Sequence, residues 1–288
     1  MKYTIFTPTY NRAHLLPKVY ESLCTQASKD FEWLVIDDGS TDNTEEVIGA
    51  FKEDGKIVIR YIKQSNGGKH RAFNKAIEEA DSDWFVCVDS DDPLVPDAIS
   101  NMDKAIALIS DNKDVAGIVG VCITPSGEPM GNVPGGILFS DTIESRDRYH
   151  LQCEPEVYRL SILKNYRFPE FEGEKFVTEA ILFDKLTIKH KLLYTNFPMQ
   201  IKEYLPGGLT DTMLRIRVNS PNGSLLYYKQ RSILSNKINY KVKALINYYR
   251  FYLHAKANKK TLVNPFYKTS LLVAPLGLIM WVRDTYLK

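Results

Sequence analysis

The sequence predicts an α/β fold: a mainly parallel sheet flanked by helices on both faces, followed by a helical, basic C-terminal extension. Three observations predict it. Short apolar runs alternate with segments of helical periodicity through the first 120 residues, the order that gives a parallel sheet with helices on its faces. Acidic and glycine-containing segments recur where those apolar runs end. Beyond residue 211 the chain turns helical in pattern and strongly basic.

Residues 3–7 form a first apolar strand, and Leu15, Leu16, Val19, Tyr20 and Leu23 then recur at helical spacing. Residues 31–36, rich in aromatic and branched side chains, give a second strand. Ser40 or Thr41 is placed to cap a helix that opens on the acidic run 42–46. Residues 57–62 are a third strand, followed by a Gly67-Gly68 turn and a helix over 71–80. Residues 84–88 form a fourth, continuously apolar strand; Pro96 suits the first turn of the next helix. Residues 115–121 are a fifth strand. Prolines and glycines across 122–150 predict loops and a hairpin. Helices are expected near 155–165 and 174–189, short strands near 192–195 and 199–203, and helices from 211 onward. The boundary at 210 divides a domain over 1–210 from a basic region over 211–288.

The chain has 288 residues, 44% hydrophobic and 25% charged, enough to bury a full core without disulfides. Cys24, Cys87, Cys122 and Cys153 form no C-x-x-C pair, which argues against a structural zinc site and for reduced thiols. Met1 leads straight into a strand with no apolar stretch of signal-peptide length, so a cytoplasmic protein is expected. The net charge of +2 hides a segregation: residues 212–283 hold 13 Lys and Arg and no acid, leaving 24 basic against 35 acidic residues elsewhere.

In open α/β sheets ligands bind beyond the carboxyl ends of the strands, so the loops at 7–12, 37–42, 64–70 and 89–92 are where chemistry is sought. Asp89, Asp91 and Asp92 place three carboxylates in four residues after a buried strand. They repel one another, and a divalent cation with oxygen ligands is a natural counterion; an acidic helix start is the alternative. Asp38 follows the second strand and is suited to a turn or to accepting bonds from a base or ribose. Gly67-Gly68-Lys69 opens a helix, where anions bind, but lacks the spacing of a phosphate loop of the G-x-x-x-x-G-K-[ST] type.

The ordered set is more specific than its parts: Thr7-Pro8-Thr9-Tyr10-Asn11-Arg12, Asp37-Asp38-Gly39-Ser40, Gly67-Gly68-Lys69, then Asp89-Ser90-Asp91-Asp92. It resembles the family-two glycosyltransferases, an inverting family with the GT-A fold, over residues 1–120 and more loosely to 210. The resemblance implies donor contacts by Thr9, Tyr10, Arg12, Asp38, Lys69 and Asp89, and Asp91 as ligand to Mg²⁺ or Mn²⁺ on the donor diphosphate. It implies a nucleotide-sugar donor, a UDP-sugar, and a lipid-linked or polysaccharide acceptor. The acceptor hydroxyl needs a base. Many members carry an acidic pair at a helix start here, whereas this chain has Glu179-Ala180. Its spacing resembles subgroups with K-F-x-x-E, which selects Glu179, with Glu172 and Glu174 as rivals.

Two other functions fit parts of the pattern. A nucleotidyltransferase making nucleotide-sugars is disfavoured because residues 7–12 contain no glycine. A catalytically degenerate sugar-binding module is disfavoured by the intact Asp89 and Asp91. In the tail, residues 271–282 are a 12-residue run with neither charge nor hydroxyl, short of the roughly 18 expected of a membrane span. With the surrounding basic and aromatic residues it predicts a peripheral contact with the inner membrane face; packing against the catalytic domain is the alternative. No known nucleic-acid motif accompanies the basic stretch, and no nucleic-acid partner is expected.

Overall fold

The computed structural model describes residues 1–149, 151, 156–203 and 209–286. An eight-stranded sheet runs in the order β3-β2-β1-β4-β7-β5-β8-β6. Strands β1 (Tyr3–Thr9), β2 (Phe31–Asp37), β3 (Val58–Lys63) and β4 (Trp84–Cys87) are mutually parallel. β7 (Glu156–Arg159) inserts antiparallel between β4 and β5 (Val115–Ile123). β8 (Lys191–Ile201) pairs parallel with β5, and β6 (Ile137–Ser140) closes the edge antiparallel to β8.

The two-residue period of the strands separates two faces. Ile5, Trp33, Val35, Val86 and Ile118 pack with Leu16, Val19 and Leu23 of α1 (Leu16–Cys24) and Ile99 and Met102 of α4 (Ala98–Ala107). Phe51 of α2 (Thr44–Asp54) stacks on Tyr20 of α1, ring centroids 4.1 Å apart. On the other face Phe6 and Phe85 meet Phe73 of α3 (Lys69–Glu79), Phe6 edge-to-face at 5.5 Å. Helices therefore cover both sides, as the alternating pattern requires. Gly117 of β5 lets β7 approach: a Cβ there would stand 2.2 Å from the Val157 carbonyl oxygen.

Chain order along the sheet reverses between β1 and β4, and the crevice beyond their carboxyl ends is where such sheets take ligands. The first five strands follow the sequence pattern. Five expectations are corrected. Ser40 and Thr41 do not cap α2; the Ser40 hydroxyl accepts from Asn11 N–H (2.9 Å), while the Asp42 carboxylate takes Thr44 N–H (3.2 Å). Pro96 lies in the turn before α4 rather than inside it. The helix expected over 155–165 is β7 followed by the short α6 (Leu160–Leu163), because strand pairing on both sides overrides local propensity; Pro155, like Cys153, lies outside the described residues. The segment 174–179 precedes α7 (Ala180–Lys189) instead of opening it, and the strands expected at 192–195 and 199–203 are one strand, β8, with register shifts against β5. Between β5 and β7, a tight turn at 124–128 and a bridge from Ile123 to Pro129 form the hairpin, and α5 (Thr142–Asp147) follows β6.

The chain divides into two compact units, Met1–Arg167 with Asp184–Tyr204, and Phe168–Phe183 with Leu205–Lys288. A cut at 210 differs from this by assigning residues 168–183 and 205–210 to the first. The second unit is helical: α8 (Leu209–Asn219), α9 (Pro221–Leu234) and α10 (Ile238–Ala257) pack around Leu225, Tyr248 and Phe251, and α11 (Ala274–Tyr286) lies on α10 through Gly277. Glu174 belongs to it. Its buried carboxylate accepts from Asn222 N–H (2.8 Å) and Gly223 N–H (3.0 Å), capping α9.

Candidate active site

The four strand-end loops form a closed circuit of polar contacts. After β1, Asn11 adopts φ 53°, the left-handed region that asparagine tolerates better than most residues. This turns its side chain toward the β2 loop, where Oδ1 accepts from Thr41 N–H at 2.8 Å. The Asp42 carboxylate returns the link by accepting from Ala13 N–H (3.0 Å). Burial raises the Asp42 carboxyl, but the Thr44 hydroxyl and the Ala13 and Thr44 amides outweigh it and hold it below its ordinary range.

Asp37 and Asp38, adjacent at the end of β2, face different work. Asp37 is fully buried and accepts from Ser40 N–H (2.7 Å) and the Tyr61 hydroxyl (2.6 Å); burial first, then that carboxylate, push the Tyr61 phenol well above its usual range. Asp38 Oδ1 accepts from Gln64 Nε2 (2.7 Å) and Gly67 N–H (2.9 Å), and Oδ2 accepts from Gly68 N–H (2.7 Å). It thus builds the Gly67-Gly68 loop at the start of α3. Gly39 is required between the loops: at φ 82°, a Cβ would stand 2.9 Å from Asn66 N.

The circuit closes through charge. Lys69, the first residue of α3, reaches Asp89 Oδ1 at 2.6 Å. Arg12 reaches Asp91 Oδ2 at 3.0 Å and Ser90 Oγ at 3.3 Å. Lys202, just past β8, stands 3.7 Å from Asp92 Oδ2. Burial raises the Asp89 carboxyl, but Lys69, then Lys202 and Arg12, hold it below the usual carboxylate range.

Ligand oxygens of Asp89, Asp91 and Asp92 lie within 4.8 Å of one another. This hard, all-oxygen, acidic donor set fits a divalent cation such as Mg²⁺ or Mn²⁺. Asp89 and Asp91 are about one-third exposed, and the side chains that bridge to them directly, Lys69 and Arg12, are themselves partly exposed, so ligands can exchange there without unfolding anything. Asp92 is buried and engaged by Lys202.

The structure therefore brings Arg12, Asp38, Lys69, Asp89 and Asp91 into one site. Thr9, the last residue of β1, is buried with its hydroxyl without a partner, and Tyr10, next along the chain, is about half exposed. Glu179 belongs to the second unit; its carbonyl receives Leu182 and Phe183 N–H at the start of α7 (3.0 and 3.2 Å), and its side chain is half-buried. Of its rivals, Glu174 is committed to α9 and Glu172 is exposed. Sequence reasoning missed Ser90, Lys202 and the bracing pair Gln64 and Asn66. Lys202 becomes legible only once β8 is known to run beside the β4 loop, where Ile201 N–H donates to the Pro93 carbonyl at 2.8 Å.

Residues 4–153 match the family model for glycosyl transferase family 2. The GalNAc(5)-diNAcBac-PP-undecaprenol beta-1,3-glucosyltransferase of Campylobacter jejuni is 28% identical, over 93% of this chain and 88% of its own length. The poly(ribitol-phosphate) beta-N-acetylglucosaminyltransferase TarS of Staphylococcus aureus is 27% identical over 63% of this chain, which spans about a third of its length (33%). Among solved structures, TarS residues 1–349 superpose with a TM-score of 0.61 at 18% identity, over 99% of this chain and 82% of that one. A mannosyltransferase from Pyrobaculum calidifontis, in complex with GDP-Man and Mn²⁺, gives 0.58 at 15% identity, over 99% and 88%. The fold is thus of the GT-A type, and with the matched region covering more than half of the chain, this protein is a glycosyltransferase belonging to glycosyl transferase family 2.

Proposed function

We propose that this enzyme moves a sugar from a UDP-sugar to a hydroxyl of a lipid-linked or polymeric glycan, with inversion and with help from a divalent cation. The observation that carries the reading is the charge circuit at the end of β4, where Asp89, Asp91 and Asp92 meet Arg12, Lys69 and Lys202. The names of the relatives support the acceptor class: one acts on an undecaprenol-linked glycan and the other on poly(ribitol-phosphate). TarS has been solved with UDP-GlcNAc, which supports a uridine donor.

In this reading Asp91, with Asp89 beside it, holds Mg²⁺ or Mn²⁺, which when bound neutralises charge on the donor diphosphate. Arg12 and Lys69 exchange their carboxylate partners for phosphate oxygens, anionic acceptors suited to guanidinium and ammonium donors. Thr9, Tyr10 and Asp38 bound the nucleoside end. The anomeric carbon–oxygen bond breaks with its electron pair leaving on the diphosphate. The acceptor oxygen forms the new bond from the opposite face and gives its proton to a carboxylate, assigned to Glu179. The C-terminal unit makes a peripheral contact with the inner membrane face.

The test is calorimetric titration of UDP-sugars with and without Mn²⁺, followed by donor turnover. Saturable, Mn²⁺-dependent binding and release of UDP are expected. Binding and turnover unchanged by EDTA would remove the cation from the reading, and preference for another nucleotide would remove the uridine donor.

A further inference from the structure

Helix α11 is mounted with its faces reversed for a helix that meets water. Its inner side carries Gly277, buried so closely on α10 that a Cβ would stand 3.0 Å from Tyr249, and Asp284, whose carboxylate is 4% exposed. Asp284 accepts from Arg250 Nη2 at 2.7 Å and lies 3.0 Å from His254 Nε2. Its outer side carries Leu276, Ile279, Val282 and Tyr286, and the preceding 3₁₀ turn (Lys268–Val273) adds Leu272. Leu272 is 81% and Ile279 64% exposed. A surface helix ordinarily turns its apolar stripe to the core; here the glycine and the ion pair face inward and the aliphatic stripe faces out.

Three observations say what covers that stripe. The first is charge. Exposed Lys256, Lys259, Lys260, Lys268 and Arg283 belong to the same unit, and no acid accompanies the 13 basic residues of 212–283. A second copy would bring two such surfaces together against their own repulsion, whereas an anionic surface is attracted. The second is length. Thirteen residues reach about 20 Å, short of the roughly 30 Å of a bilayer core, and among the described residues no helix is long and apolar enough to cross. The third is side-chain type. Protein interfaces anchor on Trp, Tyr and Arg set in pockets, but this face is an aliphatic row with one tyrosine at its end, which suits fluid acyl chains.

We propose that α11 is an interfacial helix, lying flat in an anionic lipid leaflet with Leu272, Leu276, Ile279 and Val282 among the acyl chains. The lysines of α10 and the segment after it face the phosphates. This deepens, and rests on, the membrane contact in the proposed function by naming the inserting face and its lipid class. Trp281 is not part of that face: its ring is half-buried, 6.4 Å from His254, and the aromatic ring at the interface is that of Tyr286.

The test is flotation of the full chain with phosphatidylcholine vesicles, with and without phosphatidylglycerol. The parent should float with the anionic vesicles and be released by salt. Leu272→Glu with Ile279→Glu should weaken partition about tenfold or more for each residue removed from the lipid. Because both side chains point away from the fold, the variant should keep its circular dichroism spectrum. Lys256→Glu with Lys259→Glu and Lys260→Glu should abolish the preference for phosphatidylglycerol. The proposal is overturned if the outer-face variant floats as well as the parent, if uncharged vesicles serve equally, or if light scattering shows a dimer that the outer-face variant dissociates. UDP-sugar binding is measured on the same proteins: its absence from all of them, with flotation as expected, would fault the donor reading and leave this one standing.

Discussion

Asp89, Asp91 and Asp92 sit on one turn, yet their surroundings give them different freedom. Asp92 is buried and engaged by Lys202, whereas Asp89 and Asp91 are each about one-third exposed. Asp89 and Asp91 are therefore freer than Asp92 to take a cation, and Asp91 is the one proposed to hold it. Asp91→Asn should abolish Mn²⁺-dependent donor binding in calorimetry while leaving the fold intact; retained Mn²⁺ dependence would move the ligand to Asp89. Glu179→Gln should lower turnover by about 10²–10⁴ with donor affinity nearly unchanged, the usual effect of removing a general base; a full-speed variant would shift the role to Glu172, since Glu174 is committed to α9. Asp38 differs again, because its three acceptor contacts are internal. Asp38→Ala leaves the Gly67 and Gly68 amides without their acceptor and should cost about 1–3 kcal/mol of stability in denaturant unfolding, beside any loss of donor affinity.

At the scale of elements, β1–β5 and their loops were legible because each strand carries its own apolar run and each loop its own turn residues. The residues that the structure brings together from those loops, Arg12, Asp38, Lys69, Asp89 and Asp91, were legible for the same reason. What could not be read locally was decided by distant partners. Glu156-Val157-Tyr158-Arg159 is strand only because β4 and β5 leave a gap between them. Glu174 looks like a helix start until α9, nearly fifty residues later, is seen to need its carboxylate. The 271–282 run reads as apolar from sequence, but which side faces out depends on Gly277 and Asp284. Asp284 also sets an acid limit. Burial raises its carboxyl, but Arg250 and His254 outweigh this and hold it below its ordinary 3.8. A carboxyl lowered in the folded state stabilises fully above its unfolded pKa, and that contribution is lost as pH falls through the folded one. Acidification from pH 5 to below about 3 should therefore loosen α11, seen as rising hydrogen exchange in 274–286. Asp284→Asn should show faster exchange there already at neutral pH.

At the scale of the whole molecule, acidic and basic residues are segregated along the chain, while neither compact unit is continuous in it. The family-matched stretch 4–153 ends before β7 and β8, so it lacks the strands on both sides of β5. A fragment ending at 153 should show no cooperative unfolding transition, in contrast to the full chain; a sharp transition in the fragment would mean that β7 and β8 are dispensable.

The insertion of β7 between β4 and β5 also gives this protein a history during its synthesis. The ribosome finishes β4 at residue 87 and does not begin β7 until residue 156. At about 5–20 residues per second that interval is roughly 3–14 s. For those seconds the nascent sheet β3-β2-β1-β4 presents Trp84, Phe85 and Val86 on an open, hydrogen-bond-hungry edge, the kind of template to which other strands add. Yield of folded enzyme in a cell will then depend on what meets that edge first: its own later strand, a neighbouring nascent chain, or a chaperone that holds extended apolar segments.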